Sequence, residues 1–329
     1  MRRIDGKKIK NLEPYEKIMP IIMKDRVDSL VYYTDDIPID NILRYTPEQE
    51  KKYSYLNIIY TALIRTIKEK EKLNRFVING RVYQRNNIVV SMVVKPRLDE
   101  KSEEEVAKLE FTGDETLAEV SESLNDYIAK IKEKEKNKAN INNDSKSTQT
   151  DILAQALNKI PVWMLKIGIN TLMFLDKINL MPKKIIEASP FHASAFITNV
   201  GSIGLDAIYH HIYNFGTIGM FLSIGKKHDK VVLKDGKVIT KKCIKISIVC
   251  DERICDGYYF AQSIKYFKRL LKNPELLEKK DITIDETEEL EEALDIELTL
   301  DPEKLENKKK TRLVSVNHIK EILQNIHIS

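Results

Sequence analysis

Apolar and polar positions along this 329-residue chain alternate in two periods, and the change from one to the other marks out its elements. A period near 3.6 runs from 48 to 72, where Leu56, Ile59, Leu63 and Ile67 fall on one side and predict a long amphipathic helix. The same period predicts helices over 15–24 (interrupted by Pro20), over 116–131 behind Gly113-Asp114, and over 258–271, where Asn273-Pro274 is the stop signal. Ile39 to Leu43 reads as a short helical turn. A period of two, rich in β-branched residues, predicts strands over 30–34, 88–94, 218–224 and 243–250. Asn79-Gly80 and Asp235-Gly236 each lie between apolar runs and predict hairpin turns within 76–83 and 230–240.

Composition changes the picture at three places. Residues 132–151 are charged and then rich in Asn, Ser and Thr, which predicts a flexible surface loop inside one domain of residues 1–280. Residues 281–306 carry twelve acidic side chains against one lysine, so the small net charge of +4 hides a basic domain with an acidic tail. That tail continues through Lys308-Lys309-Lys310 to a short predicted helix over 314–326. The most lipophilic stretch, 160–180, holds Trp163, Met164, Leu172 and Phe174 but also Lys166, Asp176 and Lys177. Those charges argue against a spanning helix and for one that is buried or faces another subunit, with an interfacial membrane helix as the other reading. The first residues have no apolar leader core, and Cys243, Cys250 and Cys255 have no zinc-ligand spacing, so a cytoplasmic protein without a metal is expected. Basic surface without interleaved aromatic residues argues against a nucleic-acid partner.

The densest signal is Asp251-Glu252-Arg253-Ile254-Cys255-Asp256-Gly257, set between the 243–250 strand and the 258–271 helix and followed by Asn273-Pro274-Glu275-Leu276-Leu277. This arrangement resembles the catalytic domain of the 2-oxo acid dehydrogenase acyltransferases, in the chloramphenicol acetyltransferase-like superfamily, where the pattern is His-x-x-x-Asp-Gly. Phe196 to Gly204, Leu73-Asn74-Arg75-Phe76 with Asn79-Gly80, and Thr217 to Gly225 resemble further segments of that family in the same order. The likeness spans about residues 15–278. It implies an α/β two-layer sandwich of mixed β-sheet and flanking helices, a homotrimer with sites between subunits, and coenzyme A or acyl-CoA as substrate. No lipoyl module is expected, because the chain opens almost directly on the catalytic-type domain. Carried over by position, Thr198 becomes the oxyanion donor, Glu252 the general base and Asp256 the motif carboxylate. Arg253, Gly257, Asn199 and Gly201 become structural motif residues, and Arg26 the arginine that pairs with Asp256.

One position departs from the pattern. Glu252 stands where the family has its histidine, and on reference pKa values of about 6.5 and 4.3 it is the weaker base by ~3 kcal/mol. A glutamate also starts anionic and ends neutral, so it offers no cation to a thiolate or an oxyanion. His192 is the alternative base, close in sequence to Thr198. His210-His211 repeats the start of the motif but has Phe215 in the aspartate's place, and is set aside. Asp256 also suits a helix N-cap, and Asp251 with Arg253 suits a surface ion pair. Two functions stand: CoA-dependent acyl transfer to a thiol or other small acceptor with a degenerate base, or a non-catalytic scaffold or regulatory protein that keeps the fold.

Overall fold

The computed structural model describes residues 3–48, 53–96, 105–140, 160–234 and 237–282. Its first compact unit runs from Met1 to Asp281; of the second, Ile282–Ser329, only residue 282 is described. The expected helix at 314–326, the Asp235-Gly236 turn and residues 141–151 lie outside the described residues.

Six strands form the main sheet, in the order β2 (Leu30–Pro38), β9 (Lys237–Asp251), β8 (Met220–Lys234), β7 (Ala195–Asn199), β5 (Ile88–Val94) and β6 (Glu105–Phe111). β7 runs parallel to both β5 and β8, and the other pairs are antiparallel, so the sheet is mixed. A second sheet joins β1 (Gly6–Lys8), β4 (Arg81–Arg85) and β3 (Arg75–Ile78). The β3–β4 turn is the expected hairpin. Asn79 and Gly80 take φ of 49° and 67° there, the left-handed pair that a tight two-residue turn requires.

One face of the main sheet is covered by α3 (Tyr55–Glu69), α4 (Leu117–Asn140) and α7 (Gly257–Lys272), with α2 (Asp40–Glu48) against α3 and α7. Helix α3 starts at Ser54, whose hydroxyl accepts from the Asn57 N–H at 3.2 Å. Its residues 57–67 are all buried, because other elements surround it on every side. The opposite sheet face packs Phe196, Phe221 and Val249 against Ile212, Ile218 and Ala193 from the flanking loops. This is the two-layer α/β architecture that the motifs implied.

Three local expectations change. Residues 132–140 continue α4 rather than open a loop. The 160–180 stretch forms α5 (Val162–Lys177), but of its residues only Asp176 is buried, while Trp163, Ile167 and Phe174 are exposed. It is not a core helix, and no described helix is long and apolar enough to cross a membrane. The strand pieces around 218–224, 230–240 and 243–250 merge into one β8–β9 hairpin, continuous through an irregularity between Ile224 and Lys227.

Candidate active site

The motif turn begins where β9 ends. Asp251 is 1 % exposed, and its carboxylate accepts from the Ser29 hydroxyl (3.0 Å), the Arg253 N–H (3.1 Å), Arg253 Nε (2.8 Å) and Arg253 Nη2 (2.7 Å). Arg253 Nη1 donates to the carbonyls of Met23 and Lys24, at 3.2 and 3.3 Å. This corrects the expected surface pair. The chain turns at Asp251 instead of continuing the strand, which folds the guanidinium inward over its own aspartate. The pair then ties the turn to the segment after α1 (Pro14–Ile22).

Asp256 has the capping role. Its Oδ1 accepts from the Tyr259 N–H at 2.8 Å at the start of α7, and its Oδ2 lies 3.9 Å from Lys72 Nζ at the surface. Arg26 is not its partner. That guanidinium donates to the carbonyls of Gly216 (2.5 Å) and Tyr213 (3.3 Å), and burial lowers its pKa to about 10. Glu252 is half-buried, and its N–H donates to the Ser29 carbonyl at 2.8 Å. It lines a small cavity of about 150 Å³ with Glu13, Glu16, Lys72 and Asp256. Cys250 and Cys255 are buried beside the turn, and a hydrogen bond from Cys255 together with burial pushes the Cys250 thiol up, so it is a packing group.

Thr198 lies on β7, half-buried, in a row that runs across four strands. It pairs with Ser223 on β8, Ser223 pairs with Ser247 on β9, and Ser247 pairs with Thr34 on β2, so four hydroxyls share one sheet face. Sequence reading missed this row because each hydroxyl sits in a different strand, and only the register aligns them. Asn199 Nδ2 donates to the Tyr55 hydroxyl at 3.2 Å, joining the end of β7 to the start of α3. Gly201, in the short turn after β7, lies so close to β8 that a Cβ there would stand 2.2 Å from the Gly225 carbonyl oxygen.

Thr198 and Glu252 do not meet within one chain. Ser247 lies two strands from Thr198, and Glu252 follows five residues later, which places the two on the order of 15–20 Å apart. His192 is also away from Thr198. Its Nδ1 lies 2.9 Å from the Ser189 hydroxyl and its Nε2 3.7 Å from Asp176, in a buried cluster where Arg3 donates to Asp176 at 2.6 Å. Burial lowers the His192 pKa, opposed by Asp176. The ring is a buried core group in that cluster, beside Ser189, Asp176 and Phe215 rather than at the β7 hydroxyl, which argues against its reading as a substitute base. Among the described residues no group of three His, Cys, Asp or Glu side chains could hold a metal ion.

Comparison with known proteins points the same way as the motifs. Residues 183–278 match the family model described as 2-oxoacid dehydrogenases acyltransferase (catalytic domain). The dihydrolipoyllysine-residue acetyltransferase component of the Bacillus subtilis pyruvate dehydrogenase complex is 30% identical over 94 residues, 29% of this chain and 21% of that protein. The corresponding Staphylococcus aureus (strain Mu50) component is 33% identical over 85 residues, 26% of this chain and 19% of that protein. The match thus spans about a fifth of each relative's length. In structure, a probable dihydrolipoamide acetyltransferase from Listeria monocytogenes superposes with a TM-score of 0.50 at 13% identity, over 82% of this chain and 95% of that one. The Azotobacter vinelandii dihydrolipoamide acetyltransferase gives 0.50 at 15% identity, over 82% and 94%. At these identities the superpositions speak for the fold alone. Residues 183–278 are thus similar in sequence to the 2-oxoacid dehydrogenases acyltransferase catalytic domain, and the chain has the α/β fold of the superposed dihydrolipoamide acetyltransferases.

Proposed function

We propose that this protein transfers an acyl group from coenzyme A to a thiol or another small acceptor in the cytoplasm, at sites completed between copies of a homotrimer. The observation that carries the reading is the retained turn and hydroxyl on opposite parts of one sheet. Asp256 still caps α7 behind the turn, and Thr198 still presents a half-buried hydroxyl at the end of β7. Lying far apart in one chain, they can face a common substrate only across a subunit boundary. In the step itself the acceptor sulfur attacks the thioester carbonyl as its proton leaves, and the carbonyl oxygen gains the negative charge that the Thr198 hydroxyl stabilises. Collapse breaks the carbon–sulfur bond to coenzyme A, whose sulfur then takes up the proton. Glu252 keeps the place of the base without its proton affinity or its cationic form, so the acceptor proton calls for a stronger base.

The test is acetyl transfer from acetyl-CoA to dithiol and amine acceptors, followed by release of free coenzyme A. Wild-type protein is expected to turn over slowly, and Thr198→Val to lower kcat about 10²–10³-fold, the loss typical of one oxyanion donor. Wild-type protein that binds acetyl-CoA yet transfers to no acceptor would identify the scaffold instead.

A further inference from the structure

We infer that Lys72 supplies the cation of this acyl transfer, its ammonium holding the acceptor as a thiolate beside Glu252; the inference rests on the acyl-transfer reading and narrows its acceptor to a thiol. Lys72 stands in the short turn Glu71–Asn74 between α3 and β3. Leu73 and Asn74 are buried there, and the Lys72 N–H donates to the Tyr259 hydroxyl at 3.2 Å, which fixes the turn on α7. The side chain then runs to the motif turn. Its Nζ lies 5.1 Å from the centre of the Tyr259 ring, 2.8 Å from Glu16 Oε1 and 3.9 Å from Asp256 Oδ2. Lys72 and Glu252 line the same cavity of about 150 Å³.

The positive charge of Lys72 is not neutralised by these contacts. Arg75 Nη1 lies 3.0 Å from the same Glu16 oxygen, so two cations share one carboxylate and the three groups together carry one positive charge. Asp256 Oδ2 is beyond hydrogen-bond distance, and its side chain is exposed, which makes for a weak pair. The Glu252 carboxylate makes no ion pair or side-chain hydrogen bond with the described residues. Arg253, the other cation on the cavity wall, is held by the buried Asp251. Lys72 is therefore the group there that can attract an anion. Beside a lysine a thiol's pKa falls from about 8.5 to roughly 3.5–7.5, so a large share of it is ionised near pH 7.

A histidine at position 252 would act as base and cation in one group. Here the cation stands on Lys72, and a thiol ionised in advance needs no protein base at the moment of attack. The acceptor S–H bond breaks first, and its proton goes to bulk solvent. The thiolate at Lys72 Nζ then forms the sulfur–carbon bond as the carbonyl oxygen takes the negative charge. Collapse breaks the bond to coenzyme A, whose thiolate takes a proton back from solvent, so the step balances without another reactant.

Lys72→Met keeps most of the stem and removes the ammonium. Its transfer from acetyl-CoA is measured to an aliphatic dithiol and to an aromatic thiol that is already ionised at the assay pH. The variant is expected to lose about 10-fold or more in kcat with the dithiol but no more than about twofold with the ionised thiol, which needs no help to lose its proton. A purely structural role would lower both alike. Lys72→Arg keeps the charge and should keep most of the activity with either acceptor. Glu252→Gln removes the like charge facing the thiolate, so kcat with the dithiol should equal or exceed that of the wild type. A folded Lys72→Met protein with wild-type kcat, or with equal losses for the two thiols, overturns the proposal while leaving acyl transfer in place. Loss of transfer in Glu252→Gln returns the proton to that carboxylate and overturns it as well. Wild-type protein without any transfer overturns both readings.

Discussion

Asp251 and Asp256 stand five residues apart in one turn, and the structure assigns them opposite work. Asp251 is buried and held at four hydrogen bonds by Ser29 and Arg253, whereas Asp256 is exposed and makes one cap. Removing one member of a buried pair strands the other charge, so Arg253→Ala is expected to cost about 3–5 kcal/mol in urea denaturation. Arg253→Lys should restore little, because an ammonium cannot reproduce the two-pronged contact. Asp256→Ala should cost only ~1 kcal/mol, the value of an N-cap. Equal losses for the two alanine variants would contradict this division. The cap was legible in sequence, from an aspartate before a helical period. The buried pair was not, since its depth depends on Ser29, Met23 and Lys24, more than two hundred residues away in the chain.

Elements were legible where periodicity and burial agree. Helix α7 and the β3–β4 hairpin fall where the pattern put them, whereas the helix expected over 48–72 begins only at Tyr55, because residue 48 ends the separate helix α2. Strand β6 was missed because Glu105-Val-Ala-Lys-Leu-Glu-Phe111 is rich in good helix formers, and only pairing with β5 makes it a strand. The β8–β9 hairpin was read in pieces because the polar stretches Lys226 to Lys230 and Thr240 to Lys242 interrupt its apolar runs. The turn after β7 depends on tight backbone approach to β8. Gly201→Ala must push that turn away from Gly225, and a cost of about 1–3 kcal/mol or more is expected, seen as a lower Tm. Because the turn directly follows Thr198 on β7, transfer activity should fall with it. A Gly201→Ala protein with unchanged Tm would show that the contact yields freely.

At the scale of the molecule, two of the described helices expose large apolar side chains. Tyr15, Ile18, Ile21 and Ile22 on α1 are more than half exposed, as are Val162, Trp163, Ile167 and Phe174 on α5. Exposed apolar surface of this kind is characteristic of protein interfaces. On the proposed acyl-transfer reading a second copy of the chain is the occupant, completing a site between Thr198 and the Glu252 turn. Light scattering should therefore give a mass near three times 38.2 kDa. Trp163→Glu with Ile167→Glu should lower that mass and abolish transfer while the circular dichroism stays native. A stable wild-type monomer at micromolar concentration would exclude the shared site.

By itself the sequence determined the sheet-and-helix alternation, the capped turn at Asp256-Gly257 and the family likeness, because each is written in neighbouring residues through periodicity, turn chemistry or a short motif. Only the tertiary structure decided that Asp251 and Arg253 are buried, that His192 faces a charged core cluster, and that Thr198, Ser223, Ser247 and Thr34 line up in one row across four strands. Those placements come from strand register and loop return, which join residues through space that no local pattern connects.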